Sequence, residues 1–235
     1  MPAAEDATKR KVRQNLKHML ANHSKWQTLC QTGLTFATAA VNARIESTYP
    51  RIPTQWPPSL EVFPDLAAQY EAQTTEVAYA QLQALDHIMA RLEGVVTDLK
   101  ANLASIESAA HSLPPPPSSS GSNGLPETPK PIASSQTTPG EYLSTHAAVP
   151  LLAYFRIMPL EQWIPHVRHY VSLHSTDLQT RKEILKSISQ VATRSTGTTL
   201  LSAWLNGIDL DPIILTDFRE LVEFELQLPS NGRVP

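Results

Sequence analysis

Residues 82–110 read LQALDHIMARLEGVVTDLKANLASIESAA. Apolar residues recur here at alternating intervals of three and four, which places them along one side of an α-helix. We call them the heptad seam: Leu82, Leu85, Met89, Leu92, Val96, Leu99, Leu103, Ile106 and Ala110. This spacing is typical of a coiled coil, whereas a half-buried β-strand requires strict alternation. The seam predicts a helix of about 40 Å over this segment alone.

Further apolar patterns lie upstream of the seam. Leu66, Tyr70 and Val77 stand in a different phase, which predicts a stutter near Tyr79. An earlier helix is predicted from its own series of apolar and small residues: Trp26, Leu29, Gly33, Phe36, Ala40 and Ala43. The prolines between 50 and 58 exclude α-helix there and predict an extended loop around Trp56.

Both stripes are too narrow for a helix in the core of a globular protein, so each helix needs a partner. The proline loop is short enough for the first helix to fold back on the second. We therefore predict a long antiparallel helical hairpin or coiled coil, with further helices completing a bundle. Gly33 costs about 1 kcal/mol relative to alanine within a helix, and a close helix approach would explain its presence.

Proline and serine concentrate between residues 113 and 140, where apolar side chains are rare. Ordering this segment would cost backbone entropy with little surface to bury, so we predict a disordered linker. Its Thr128-Pro129 and Thr138-Pro139 pairs are weak candidates for proline-directed phosphorylation. The linker divides the chain into a helical hairpin at 1–112 and a C-terminal helical region at 141–235.

The C-terminal region is also predicted to be helical. Thr145 is a candidate cap for a short helix that ends at Phe155, and a longer helix follows from Leu160. The apolar residues of this longer helix are Leu160, Trp163, Ile164, Val167, Val171, Leu178, Leu185, Ile188 and Val191. We expect Gly197 to end this segment. No segment resembles a β-strand, and the predicted fold class is all-α.

Two shorter helices complete this region. The first is expected to begin at Thr198-Thr199 and to end at Gly207. Asp211 followed by Pro212 is a helix cap and first-turn pair, and it predicts the start of the last helix.

Composition excludes several classes of protein. Nineteen Lys and Arg residues against 22 Asp and Glu residues give a net charge of −3, so binding nucleic acid through bulk positive charge is not expected. The single cysteine, Cys30, excludes an internal disulfide framework and sites built from several cysteines. No apolar run reaches the ~20 residues that span a bilayer, and no signal peptide pattern is present. We expect a soluble intracellular protein without membrane contact.

The motifs of enzymes are not evident. Gly121 and Gly124 form a loop without the lysine of a phosphate-binding motif. Three histidines at 166, 169 and 174 lack the HExxH pattern, which favours solvated or partner-facing side chains over zinc ligands. Asp209 and Asp211 resemble an acidic pair for metal or acid–base chemistry, but capping of the helix that begins at Pro212 explains Asp211. The helical position of Cys30 favours packing over nucleophilic use. We expect no enzyme activity, cofactor or metal.

The basic cluster Lys9-Arg10-Lys11-Val12-Arg13 has three interpretations: a nuclear import signal, a weak nucleic-acid contact or a solvated helix start. A partner interface is expected at two apolar segments. Trp26, Leu29 and Gly33 belong to the first, and Leu200, Leu201 and Trp204 belong to the second. Trp204 either fills the core beneath the helix that starts at Pro212 or anchors a partner protein, because tryptophan is frequent in hot spots.

Two segments resemble the cyclin-dependent kinase 2-interacting protein family. The first is Trp26-Gln27-Thr28-Leu29-Cys30-Gln31-Thr32-Gly33, continuing to Ala37 and Asn42; the second runs from Arg181-Lys182-Glu183 to Leu200-Leu201-Ser202-Ala203-Trp204-Leu205. A long heptad helix lies between them, as in the family. The resemblance covers about half of the chain in patches. The long proline-rich linker and the region 147–165 depart from the family pattern.

The resemblance implies a non-enzymatic adaptor in the nucleus, with the cytoplasm as a second location. It implies protein partners of three kinds: cyclin-dependent or replication kinases, checkpoint proteins of the DNA-damage response, and subunits of an AAA-type ATPase complex that matures the large ribosomal subunit. The alternative is a structural coiled-coil subunit of a kinetochore, spindle or tethering complex, because the same heptad pattern would suit a helix of such an assembly.

Overall fold

The computed structural model describes residues 2–51, 56–60, 62–111 and 158–227. These residues form five α-helices: α1, Pro2–Glu46; α2, Pro64–His111; α3, Leu160–Ile188; α4, Arg194–Asn206; and α5, Pro212–Gln227. Within the described ranges no β-strand occurs. The prediction of an all-α fold is confirmed.

The helices α1 and α2 pack antiparallel. Asn15 Nδ2 near the start of α1 donates a hydrogen bond to Ser105 Oγ near the end of α2, at 2.9 Å. At the opposite end of the hairpin, Arg51 pairs with Glu71. The predicted antiparallel hairpin is therefore confirmed, and each of its helices is about 70 Å long.

Helix α1 begins at Pro2, well ahead of the segment from which it was predicted. The added length is not a solvated extension, because Val12, Leu16 and Met19 are buried. Between α1 and α2 the chain forms the short 3-10 turns Tyr49–Arg51 and Pro58–Leu60. The described residues between the two helices contain no α-helix, as predicted, although those near Trp56 are more tightly turned than an extended loop.

The heptad seam lies in the interior, where Leu85, Leu92 and Leu99 are fully buried. A second row beside the seam is buried as well, and it consists of Ile88, Val95 and Ala109. This row widens the apolar stripe because α3 also packs on α2. The expectation that the stripe is too narrow for a core helix was therefore wrong.

The stutter predicted near Tyr79 does not occur. Ala78 and Thr74 are buried, and they continue the heptad phase of Leu85 and Ile88 toward the start of α2. Tyr79 is 73% exposed. The prediction used the larger residues Leu66, Tyr70 and Val77 and therefore assigned the wrong heptad phase, because the side chains buried in this part of α2 are small.

Helix α3 runs antiparallel to α2 and parallel to α1. Its Arg168 pairs with Glu107 at 2.6 Å, and its Lys182 pairs with Glu93 at 2.6 Å. Together α1, α2 and α3 bury one continuous hydrophobic core, to which α4 and α5 also contribute. The two predicted arms thus share a single interior.

Helix α4 begins at Arg194, and the hydroxyl of its cap Thr193 accepts a hydrogen bond from the backbone N–H of Thr196. Gly197 lies inside this helix, so the prediction that it ends the preceding segment was wrong. A Cβ atom at Gly197 would stand 2.5 Å from Val41 Cγ1, which shows that glycine here permits close contact between α4 and α1.

Two predicted helix ends are confirmed. Gly207 ends α4 in the left-handed conformation, with φ of 53°, which glycine adopts without a steric penalty. Asp211 caps α5, because its Oδ1 atom accepts a hydrogen bond from the backbone N–H of Ile213 at 2.8 Å. The predicted linker at 113–140 and the predicted helix at 145–155 lie outside the described residues.

Candidate functional site

The segments that carry the family resemblance meet where α4 crosses α1. Trp204 Nε1 donates a hydrogen bond to the Cys30 carbonyl oxygen at 3.0 Å. A Cβ atom at Gly33 would lie 2.5 Å from Trp204 Cζ2, so the indole ring rests directly on the glycine backbone. Trp204 therefore packs against α1. Of its two predicted roles, the position in the core is correct, but the helix that covers it is α1 and not the one starting at Pro212.

The structure places most of the predicted partner-interface residues inside the chain's own core. Trp26, Leu29 and Trp204 are no more than 2% exposed, and Gly33 is buried beneath the Trp204 ring. These side chains therefore leave a partner almost no surface of their own to contact. Leu200 and Leu201 are half-buried and pack against the edge of the core.

A buried ion pair on α3 holds the end of α4. Arg181 Nε donates a hydrogen bond to Asp177 Oδ2 at 2.6 Å, and Nη1 donates one to the Trp204 carbonyl oxygen at 2.9 Å. The guanidinium carbon lies 4.9 Å from the centroid of the Trp204 ring, at cation–π distance. Burial raises the pKa of Asp177, while the charge of Arg181 acts in the opposite direction.

Sequence reasoning missed this ion pair. Asp177 and Arg181 are four residues apart in a helix, which is the spacing of an i,i+4 pair. Both also fall on the buried face of α3 together with Leu178. Charged residues on an apolar face were the signal that could have found the pair, because buried charges are normally paired.

A pocket of about 290 Å³ opens beside this contact, between α1, α3, α4 and the α4–α5 turn. Its apolar surface comes from Trp26, Trp204 and further side chains, namely Leu34, Leu205 and Leu210. Its rim carries the exposed amides of Gln27, Gln31 and Asn206, and Arg181 is its charged lining residue. We call this cavity the α1–α4 pocket.

Cys30 also lines the α1–α4 pocket and packs against the core. Burial raises the pKa of its thiol to about 12, with Arg181 acting in the opposite direction. The thiolate is the nucleophilic form of cysteine, so at neutral pH this side chain remains an unreactive thiol. The prediction that Cys30 serves packing is supported.

A second buried polar group lies deeper between α1 and α3. His174 is fully buried, and its ring centroid lies 5.1 Å from that of Trp26 and 5.7 Å from that of His23. The Nδ1 atom of His174 is 3.0 Å from the Tyr170 carbonyl oxygen. Burial lowers the pKa of His174 to about 4, and burial together with Arg219 lowers the pKa of His23.

These positions revise the interpretation of the three histidines of α3. His166 and His169 are exposed, as predicted, whereas His174 belongs to the interior. Among the described residues, no three His, Cys, Asp or Glu side chains are grouped so that they could hold a metal ion. Asp209 accepts a hydrogen bond from the Thr180 hydroxyl, and Asp211 caps α5.

No helix in the described part of the chain combines the length and the apolar character that crossing a membrane requires. Comparison with known protein families and with curated proteins found no match. The resemblance to the cyclin-dependent kinase 2-interacting protein family therefore stays a prediction that rests on the residues themselves.

Proposed function

We propose that this protein is a non-enzymatic adaptor that binds an anchor side chain of a partner protein in the α1–α4 pocket. The observation that carries the proposal is the pocket itself, which joins an apolar surface, including the accessible Leu34, Leu205 and Leu210, to a rim of amide groups. Its volume of about 290 Å³ is at the lower limit for small-molecule sites. A space of this size suits one large apolar or aromatic side chain.

The polar groups on the rim of the pocket favour a peptide segment of a protein as the ligand. The side-chain amides of Gln27, Gln31 and Asn206 each offer donors and an acceptor, which match the N–H and C=O groups of a partner backbone. The charge of Arg181 is balanced by Asp177, so the pocket favours no charged ligand. An apolar centre with a polar rim is the usual arrangement around a hot spot.

The family resemblance supports a more specific proposal. The segments that carry it, Trp26–Gly33 and Leu200–Leu205, supply much of the pocket lining. We extend the proposal to a nuclear adaptor that links cell-cycle or replication kinases to DNA-damage checkpoint proteins. In the same proposal the chain serves as a subunit of an AAA-type ATPase complex that matures the large ribosomal subunit.

The tip of the α1–α2 hairpin favours a second candidate function. Val62 is 75% exposed and Phe63 is 59% exposed, and the first turn of α2 exposes Leu66. Exposed apolar residues at the end of a long helical hairpin are suited to contact in a larger assembly. They support the alternative of a structural subunit in a kinetochore, spindle or tethering complex.

Affinity capture of tagged full-length protein tests the proposal. Gln31→Trp places a bulky side chain on the pocket rim, whereas Thr32→Trp places the same side chain on the opposite, exposed face of α1. We expect the wild type and Thr32→Trp to recover kinases, replication factors or AAA-type ATPase subunits, and Gln31→Trp to lose them.

Other results of this capture would contradict the proposal. Recovery of tubulin or centromere proteins by all three forms would support the structural alternative. Retention of the kinases and ATPase subunits by Gln31→Trp would show that the pocket is not the anchor site. Thermal melting of each variant establishes that a loss of partners does not reflect unfolding.

A further inference from the structure

The outer face of α5 carries a second surface that the α1–α4 pocket does not use. Asp217, Glu220, Leu221 and Phe224 line a depression on this face, which we call the α5 groove. Phe224 is 58% exposed, and Leu221, three residues earlier, is half-buried. Their spacing places all four residues along one side of the helix.

The inner face of α5 is firmly packed, so exposure of Phe224 does not reflect a loose helix. Phe218 stacks on Tyr170 with ring centroids 4.2 Å apart, and Val222 is fully buried. From α1, Arg13 Nη2 donates a hydrogen bond to the Leu226 carbonyl oxygen at 2.7 Å. Arg13 also lies 4.0 Å from the buried carboxylate of Glu225.

The groove is acidic as well as apolar. Asp217 and Glu220 are exposed, and neither forms an ion pair with another residue of the described part of the chain. Beside them, Glu223 lies 3.8 Å from Arg219 in an exposed pair, which contributes little to stability. The carboxylates on this face therefore outnumber its single guanidinium group.

We propose that the α5 groove binds a basic amphipathic helix of a partner protein. Apolar side chains of that helix would cover Leu221 and Phe224, and its lysine or arginine residues would face Asp217 and Glu220. In helix-in-groove recognition the bound helix presents its apolar anchors at i, i+3, i+4 and i+7. The charge complementarity selects basic helices over acidic ones. This surface is independent of the α1–α4 pocket, so an adaptor with both could hold two proteins.

Peptide binding to the full chain tests the proposal. The probe is a fluorescein-labelled peptide of about 15 residues, built from leucine and lysine at amphipathic helical spacing. A second probe has glutamate in place of every lysine. Fluorescence anisotropy should show binding of the basic probe and none of the acidic probe. We expect Phe224→Ala and Glu220→Lys each to weaken binding about tenfold or more.

Matched variants on α2 serve as controls. Tyr79→Ala and Glu76→Lys change an exposed aromatic residue and an exposed carboxylate in the same way, and their affinities should stay within about twofold of the wild type. Equal weakening by the α2 variants would overturn the proposal, because binding would then be general attraction to an acidic surface. Equal binding of both probes would overturn it as well.

The remaining candidate occupant of the α5 groove is a second copy of the chain, and sedimentation velocity tests for such a dimer. A dimer that Phe224→Ala dissociates would overturn the proposal. The Gln31→Trp variant should bind the basic probe normally. The two proposals can therefore fail separately. A failure in partner capture alone concerns the adaptor proposal, and a failure in probe binding alone concerns the groove proposal.

Discussion

Gly33 and Gly94 both lie inside long helices, but their surroundings are opposite. A Cβ atom at Gly33 would meet Trp204 Cζ2 at 2.5 Å and Ile88 Cγ2 at 3.3 Å, whereas a Cβ atom at Gly94 would meet nothing within 4 Å. The same substitution by alanine should therefore have opposite effects on stability at the two positions.

We expect Gly33→Ala to lower the free energy of unfolding by about 1–3 kcal/mol, because the Trp204 ring must move away from α1. Gly94→Ala should raise it by up to about 1 kcal/mol through helix propensity alone. Urea denaturation followed by circular dichroism measures both. Stabilisation by Gly33→Ala would show that α4 does not rest on α1 at this point.

His174 makes stability depend on pH. Its pKa is about 4 in the folded chain, against an ordinary value of 6.5. Between these values the unfolded chain binds a proton that the folded chain does not, so the free energy of unfolding falls as the pH falls through this range. The contribution of His174 to this fall is about 3 kcal/mol, and the lowered pKa of His23 acts in the same direction.

The variant His174→Gln should flatten the dependence of unfolding free energy on pH between 6.5 and 4, whatever its effect at neutral pH. The exposed His169→Gln should leave the slope unchanged. Denaturant titrations at several pH values provide the measurement. Parallel slopes for the wild type and His174→Gln would mean that His174 takes up its proton as readily in the folded chain as in the unfolded one.

At the scale of single residues, the sequence identified Cys30 as a packing residue but missed the Asp177–Arg181 pair. The position of Cys30 in a helix, with no histidine nearby in the sequence, was sufficient evidence. The role of Arg181 depends on the Trp204 carbonyl oxygen at the end of α4, which is distant along the chain. Local spacing does not contain that information.

Among the elements, α2 carries the centre of the fold, and Leu92 is fully buried in its second half. Leu92→Asp should abolish cooperative folding, because an unpaired buried carboxylate costs several kcal/mol, comparable with the whole stability of a domain. Ala90→Asp places the same carboxylate on the exposed side of α2 and should cost less than about 1 kcal/mol. Equal tolerance of the two variants in thermal melting would contradict the burial of the seam.

Regular elements were the most predictable part of the fold. The heptad seam was sufficient to predict α2 over residues 82–110, and the chemistry of Gly207 and Asp211 was sufficient to predict two helix ends. Gly197 misled the prediction because glycine often ends a helix, while here it lets α4 approach Val41. Whether a glycine ends a helix or permits close packing is decided by the tertiary contact.

At the scale of the whole molecule, the heptad seam is already covered by α1 and α3. Leu85, Leu92 and Leu99 retain no exposed surface for a second chain. We therefore expect the purified protein to have the mass of one chain in light scattering over a range of concentrations. A stable dimer that persists on dilution would contradict this expectation, because its interface would have to be built from residues outside the seam.

The contact between Arg13 and the end of α5 has a consequence for folding during synthesis. Arg13 leaves the ribosome more than 200 residues before Leu226 and Glu225, which belong to the last helix described. The α1–α2 hairpin can form as soon as α2 has emerged, but the Tyr170 ring stays uncovered until Phe218 arrives. A nascent chain paused before α5 would thus expose aromatic surface, which promotes aggregation and chaperone binding.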